Sequence, residues 1–178
     1  MRQAEGAFDG GLPVELLPWA WLIGRWVGVG TGQYPTIEGF RFGQEMVFGT
    51  DGRPFLTYVS RSWLLDEDGQ QVRPTGAESG FWRPRPDNQV EVVLAHPGGF
   101  AEIWHGAQTV SKIHDAQVTG ASVKLVADVV ARTVTAKPVD GGERLYGLVD
   151  GDLLWTYDMA AVGQPLSNHL AARLRRAE

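Results

Sequence analysis

From Gly24 onward, apolar and polar residues alternate with a period of two, the repeat of a strand whose side chains point to opposite faces. In GFRFGQEMVF, Phe40, Phe42, Met46 and Phe48 share one parity, while Arg41 and Glu45 take the other. The alternation returns in Val123, Leu125, Ala127 and Val129 against Lys124 and Asp128. It returns again in Leu153, Trp155, Tyr157 and Met159 against Thr156 and Asp158. Between such runs lie Asp51-Gly52, Asp68-Gly69, Gly98-Gly99, Gly141-Gly142 and Asp150-Gly151, pairs of the kind that close antiparallel hairpins. The pattern predicts a meander of about nine or ten short strands, which must stack as a sandwich or close as a barrel because almost no helix covers a second face.

The two ends of the chain depart from this rhythm. Residues 1–11 are Gly-rich and weakly apolar, and are expected to form a loose tail ahead of a single domain spanning 12–178. LPVELLPWAWLIG, residues 12–24, is too apolar for a loop and is broken by Pro18, so it predicts short helical turns packed as a lid or plug. At the other end QPLSNHLAARLRR, residues 164–176, taken alone suits an amphipathic helix with an incidental histidine, His169. A barrel needs a last strand to close it, and Leu170, Ala172 and Leu174 alternate with Ala171, Arg173 and Arg175 as such a strand would. Pro165 then ends the preceding strand, and Ser167-Asn168 turns the chain.

Composition narrows the architecture and the partners. Seven Trp and 23 Gly in 178 residues favour a barrel with a large aromatic interior over a sandwich. A formal net charge of -5 leaves no basic stripe for nucleic acid, so small molecules or proteins are the expected partners. The absence of cysteine removes disulfides, zinc-thiolate sites, a thiol nucleophile and covalent haem attachment, and fits a reducing compartment. No signal-peptide pattern and no membrane-length apolar run is present, which gives a soluble cytoplasmic protein as the expectation. A homodimer stays open as an oligomeric state, although a closed barrel has no free strand edge with which to support one.

The alternate glycines of GRWVGVGTG resemble a dinucleotide loop only superficially, because no strand precedes them and no helix follows. Glycines on one strand face instead let a barrel bend or a neighbouring backbone approach. Asp66, Glu67 and Asp68 read as a solvated hairpin, and no serine sits in a Gly-x-Ser-x-Gly elbow. His96, before Pro-Gly-Gly, reads as a loop cap or a water-facing turn residue. His105 and His114 lack a third ligand at metal spacing. Arg173, Arg175 and Arg176 read as a solvated terminal fringe, although arginines near a pocket mouth are apt to pair with a ligand carboxylate. His169 remains open between a structural and a ligating role.

Taken together, GRWVGVG (24–30), YPTIEGF (34–40), LAHPGG (94–99) and MAAVGQPLSNHLAARLRR (159–176) resemble the nitrobindin family. Its Gly-x-Trp-x-Gly-x-Gly signature is matched by Gly24, Trp26, Gly28 and Gly30. Its Gln-Pro-Leu-x-x-His-Leu segment is matched by Gln164, Pro165, Leu166, His169 and Leu170. The resemblance implies an all-β, ten-stranded antiparallel closed barrel, related to fatty-acid-binding proteins and lipocalins, with one non-covalent haem b at its mouth. It further implies a ferric iron bound by a single histidine, reversible nitric oxide binding and isomerisation of peroxynitrite to nitrate. Carried over by position, His169 becomes the axial iron ligand, and Thr36 and Lys137 become haem contacts. The chain departs from the family pattern in WHG at 104–106 and in the stretch from Val118 to Ala131. The competing readings are a barrel that carries a fatty acid or other apolar ligand, with His169 merely lining the cavity, and a haem carrier or nitric oxide sensor without turnover.

Overall fold

In the computed structural model residues 11–178 are described, so the expected N-terminal tail lies outside the described residues except for Gly11. A 3-10 helix, Val14–Leu22, precedes ten strands. These are β1 Gly24–Tyr34, β2 Ile37–Gly49, β3 Leu56–Leu65, β4 Gln71–Pro84, β5 Gln89–His96, β6 Phe100–His114, β7 Gln117–Arg132, β8 Val139–Val149, β9 Asp152–Ala161 and β10 Ser167–Ala177. Each strand pairs antiparallel with the next, and β10 pairs with β1 to close the barrel. The C-terminal segment is therefore a strand, its backbone paired on one side with β9 and on the other with β1. Among the described residues no helix is long and apolar enough to cross a membrane.

Six of the seven tryptophans are buried, and most of the core is apolar at one end of the barrel. That end is closed by the 3-10 helix, as the plug expectation requires. Pro18 lacks an N–H inside the segment, so a regular α-helical ladder cannot run through it. The plug is held by specific hydrogen bonds as well as by Leu16, Trp19 and Leu22. Trp21 Nε1 donates to Gln108 Oε1 at 2.6 Å, Gln108 Nε2 donates to the Pro18 carbonyl at 3.0 Å, and Trp26 Nε1 donates to the Leu22 carbonyl at 2.8 Å. Arg176 lies over the Trp26 ring at 4.2 Å and donates to the Trp21 carbonyl at 2.8 Å and to the Ile23 carbonyl. It is a clamp on the plug, not part of a solvated fringe. Arg173 pairs with Asp152 at 2.6 Å on the outer surface.

The glycine row of β1 has the close-approach role. Trp26, Gly28, Gly30, Gly32 and Tyr34 share the inner face, and Gly30 and Gly32 pair across the ladder with Phe42 and Phe40. A Cβ on Gly30 or Gly32 would strike those rings, and one on Gly28 would strike the Arg173 carbonyl oxygen and come within 2.8 Å of Leu174 Cα. The missing side chains give the aromatic rings and the β10 backbone room to lie against β1. Gly28→Ala is expected to cost about 1–3 kcal/mol through this overpacking. It would be read as a lower urea midpoint at unchanged m-value. Gly39→Ala, whose Cβ meets nothing closer than 3.8 Å, is the matched control and stays within about 0.5 kcal/mol of wild type.

Three local expectations are corrected. Gly141-Gly142 is not a turn but lies inside β8. A Cβ at Gly142 would meet the Asp158 carbonyl and the Tyr157 ring at 2.6 Å, so this glycine too serves close approach. Val129 is exposed rather than inward, because β6 pairs Trp104 with Ala127 and Ile103 with Val129, a bulge that leaves Asp128 unmatched and reverses parity beyond it. The β9–β10 turn is made by Val162 and Gly163, both at positive φ, while Ser167 and Asn168 already pair with Met159 and Asp158.

Candidate functional site at the open end of the barrel

The end opposite the plug carries the β1–β2, β3–β4, β5–β6, β7–β8 and β9–β10 connections. His169 enters here on β10. The β9–β10 ladder runs from Asn168 opposite Asp158 directly to Leu170 opposite Tyr157, which leaves His169 as the extra residue of a bulge. A bulge re-aims a side chain that regular alternation would fix. The His169 Nδ1 lies 2.9 Å from the Gln33 carbonyl oxygen. A carbonyl only accepts, so Nδ1 carries the hydrogen and Nε2 keeps its lone pair. The Tyr34 and Tyr157 rings stand edge-on to the imidazole at 5.4 and 6.1 Å. Tyr34 is itself locked: its hydroxyl accepts from the Ala161 N–H at 2.9 Å and donates to the Met159 carbonyl at 3.1 Å. Burial holds the His169 pKa below its ordinary value of 6.5, with the Gln33 hydrogen bond acting in the opposite sense. The ring is half-buried, oriented and neutral.

His169 lines a cavity of about 180 Å³ with Leu170, Tyr157, Met159 and Trp155 on its apolar side. This is below the roughly 300–1,000 Å³ of sites that engulf a drug-sized ligand. A cavity of this size would not enclose a whole porphyrin. The mouth is parted on one side. The β7–β8 ladder stops at Val126 opposite Glu143, although β7 runs on to Arg132 and β8 begins at Val139. An oriented neutral imidazole with a free Nε2, aromatic and apolar walls and a wet, parted rim form a donor set that suits a single-ligand haem. Larger surface clefts exist, one of about 960 Å³ beside the plug, but no histidine lines them.

Thr36 lies in the β1–β2 turn, three residues from the Gln33 carbonyl that holds His169, and Lys137 lies in the β7–β8 connection. Both are exposed at the open end and neither lines the cavity. Gly24, Trp26, Gly28 and Gly30 are structural in position, Trp26 under the plug and the glycines against β10 and β2. Arg173, Arg175 and Arg176 pair with the plug half of β1, away from the cavity mouth.

A buried polar cluster, unforeseen from the sequence, makes the floor of the cavity. Arg144, its side chain 2% exposed, donates to both oxygens of Glu78 at 2.8 and 2.9 Å, and Tyr58 donates to Glu78 Oε1 at 2.6 Å. The guanidinium also lies 4.9 Å from the Trp104 ring centre and 4.7 Å from that of Tyr157. Glu102 is fully buried, 3.6 Å from Arg144. Burial alone would raise the Glu78 carboxyl, but the charge and hydrogen bonds of Arg144 outweigh it and bring its pKa down to about 2. Burial pushes the Tyr58, Tyr146 and Tyr157 hydroxyls up, so all three stay protonated. His96 is corrected here: it does not face water but turns inward, with Nε2 2.8 Å from Glu102. A readable signal did exist. Glu102 shares parity with Trp104, Arg144 with Tyr146, and Glu78 with Trp82, so each charge stands on the face of a buried aromatic. His105 and His114 are exposed, and among the described residues no group of three metal-ligating side chains is assembled.

Comparison with known proteins agrees with this geometry. Residues 15–176 match a family model described as the THAP4-like, heme-binding beta-barrel domain. The chain is 52% identical to a protein of Nocardioides sp. named peroxynitrite isomerase, over 89% of this chain and 91% of that protein. It is 42% identical to a ferric nitrobindin-like protein of Kineococcus radiotolerans, over 92% and 94% of the two chains. The crystal structure of Rv2717c from M. tuberculosis superposes with a TM-score of 0.84 at 36% identity, covering 94% of this chain and 99% of that one.

Proposed function

We propose, for a chain that belongs to the THAP4-like, heme-binding beta-barrel family, that it holds one haem b at the open end of the barrel through His169, binds nitric oxide and isomerises peroxynitrite to nitrate. The observation that carries this reading is the bulged His169, with Nδ1 committed to the Gln33 carbonyl and Nε2 left free for a metal. The lack of cysteine makes attachment non-covalent. The Thr36 hydroxyl and the Lys137 ammonium, both at the rim, are assigned to the propionates, which accept hydrogen bonds and carry negative charge.

When bound through His169, the haem would supply the iron chemistry that nitric oxide and peroxynitrite require. The chain does the rest. Gln33 fixes the tautomer and direction of the His169 ring, and Tyr34 and Tyr157 hold it from two sides. Met159, Leu170 and Trp155 present apolar surface to the cavity on the His169 side, which would shield part of a bound haem from water. The cavity disfavours the apolar-carrier reading, because 180 Å³ floored by Glu78, Arg144 and His96 neither accommodates nor solvates an alkyl chain. The cysteine-free composition is consistent with work in the cytoplasm.

The test is stopped-flow decay of peroxynitrite with haem-loaded protein, together with the nitrate yield. Accelerated decay with nitrate rising at the expense of nitrite is expected. Decay no faster than with an equal concentration of free haemin would leave a sensor or haem carrier.

A further inference from the structure

We propose that His96, backed by Glu102, is a second ligand-facing group in the same cavity: a proton-bearing hydrogen-bond donor that receives a small nitrogen oxyanion such as peroxynitrite or nitrate. The proposal deepens the haem reading and rests on it for the identity of the anion.

His96 is the last residue of β5, paired with Phe100 across the β5–β6 hairpin. Its ring stacks on Phe100 at 4.1 Å with the planes 11° apart, and its Nε2 lies 2.8 Å from Glu102 Oε2. One face and one nitrogen are thus committed. The other nitrogen, Nδ1, lies 3.7 Å from Glu78 Oε2, beyond hydrogen-bonding range, and the residue lines the cavity. A fixed imidazole with one free nitrogen on a cavity wall is a ligand-facing group.

The charge balance indicates its state. Glu78 and Arg144 compensate each other through two hydrogen bonds. Glu102 remains, with a side chain wholly out of water. Arg144 at 3.6 Å is too distant to hydrogen-bond it, and Trp104 Nε1 reaches it only at 3.3 Å. A lone buried carboxylate is strongly disfavoured, so one proton shared with His96 keeps the pair neutral. With that proton on the ring, Nε2–H faces Glu102 and Nδ1–H faces the cavity as a donor. The groups around His96 are Glu102 and Phe100 on β6, Glu78 on β4 and Arg144 on β8, with Tyr58 on β3, Tyr157 on β9 and His169 on β10 completing the floor and walls.

An occupant must be small and must accept hydrogen bonds. A neutral His96 would leave the cluster with a net negative charge, which repels an anion, whereas the protonated ring cancels it. Peroxynitrite and nitrate have the same atoms and the same charge, so no proton is consumed and His96 acts by positioning.

The experiment uses the haem-free full chain with 15N-labelled histidine, titrated with sodium nitrate against sodium chloride at equal ionic strength. Nitrate is expected to shift the His96 ring resonances saturably. Glu102→Gln, which takes away the carboxylate that faces Nε2, should weaken this response. Independently of that variant, His96→Phe provides a second reading: it keeps the stack on Phe100 and should abolish the nitrate-induced shift of the His169 ring, which lines the same cavity. A response no larger than that to chloride, or one unchanged in His96→Phe, overturns the proposal. Haemin titration of the same sample is scored separately, so a nitrate response without haem binding would sink the haem reading alone, and haem binding without a nitrate response would sink this one.

Discussion

His169→Gly is expected to abolish the Soret band that haemin develops with the wild-type protein, and imidazole added to the buffer is expected to restore it. The iron would lose its only proposed protein ligand. The loss in affinity should exceed the roughly 10–100-fold that follows removal of a partner hydrogen-bonded to a metal ligand. Imidazole rescue separates a missing ligand from a collapsed site, because Tyr34 and Tyr157 still frame the vacated space. The pH dependence has a definite sign. Iron binds only the neutral ring, and burial lowers the His169 pKa below 6.5, so haem affinity should hold at neutral pH and fall only on the acid side of 6.5. An unaltered spectrum in His169→Gly, or an acid limb centred above pH 6.5, would remove the ligand assignment.

The largest effect on stability should come from Arg144→Met. The guanidinium is buried against Glu78, with Glu102 beyond it, and its removal leaves two carboxylates in the floor with one imidazole between them. Breaking such a pair from one side costs about 3–5 kcal/mol, a large part of the roughly 5–15 kcal/mol that holds a typical domain folded. Arg144→Met combined with Glu78→Leu should cost less than Arg144→Met alone, since no uncompensated charge remains from that pair. Glu78 also sets the acid limb of stability. Its pKa is about 2 in the fold against 4.5 for the free carboxyl. It therefore contributes about 3 kcal/mol that is fully present above pH 4.5 and is lost as the pH falls toward 2. Glu78→Gln should flatten that limb in urea melts between pH 5 and 2, and an identical pH profile would show that the ion pair is not what stabilises the floor.

Much of this molecule is legible in the chain because strand alternation is a local property. Phe42, Met46, Phe48, Leu153, Trp155 and Tyr157 are inward as their parity predicts. The β1 glycines lie where a bend or close approach was expected, and the proline-broken apolar segment forms the plug. The Gln-Pro-Leu-x-x-His-Leu segment singles out His169 by resemblance, while composition and spacing alone leave its role open.

Tertiary structure decided the rest. Val129 faces outward because a bulge inserts one residue, and parity counting cannot register an insertion that exists only relative to a partner strand. Gly141-Gly142 looks like a turn until its neighbours show that the barrel needs the space of the missing Gly142 side chain. His96 beside Pro-Gly-Gly has every local mark of an exposed turn residue, and only the convergence of β4, β5, β6 and β8 turns it toward Glu102. The sequence by itself determined an antiparallel all-β chain with an apolar plug and a marked histidine, since hydrophobic period, proline and glycine act on their own segment. Barrel closure decided that His169 stands on a bulge with its Nδ1 held by Gln33, over a floor of Arg144, Glu78, Glu102 and His96, because a charge is rendered buriable only by partners that arrive from other strands.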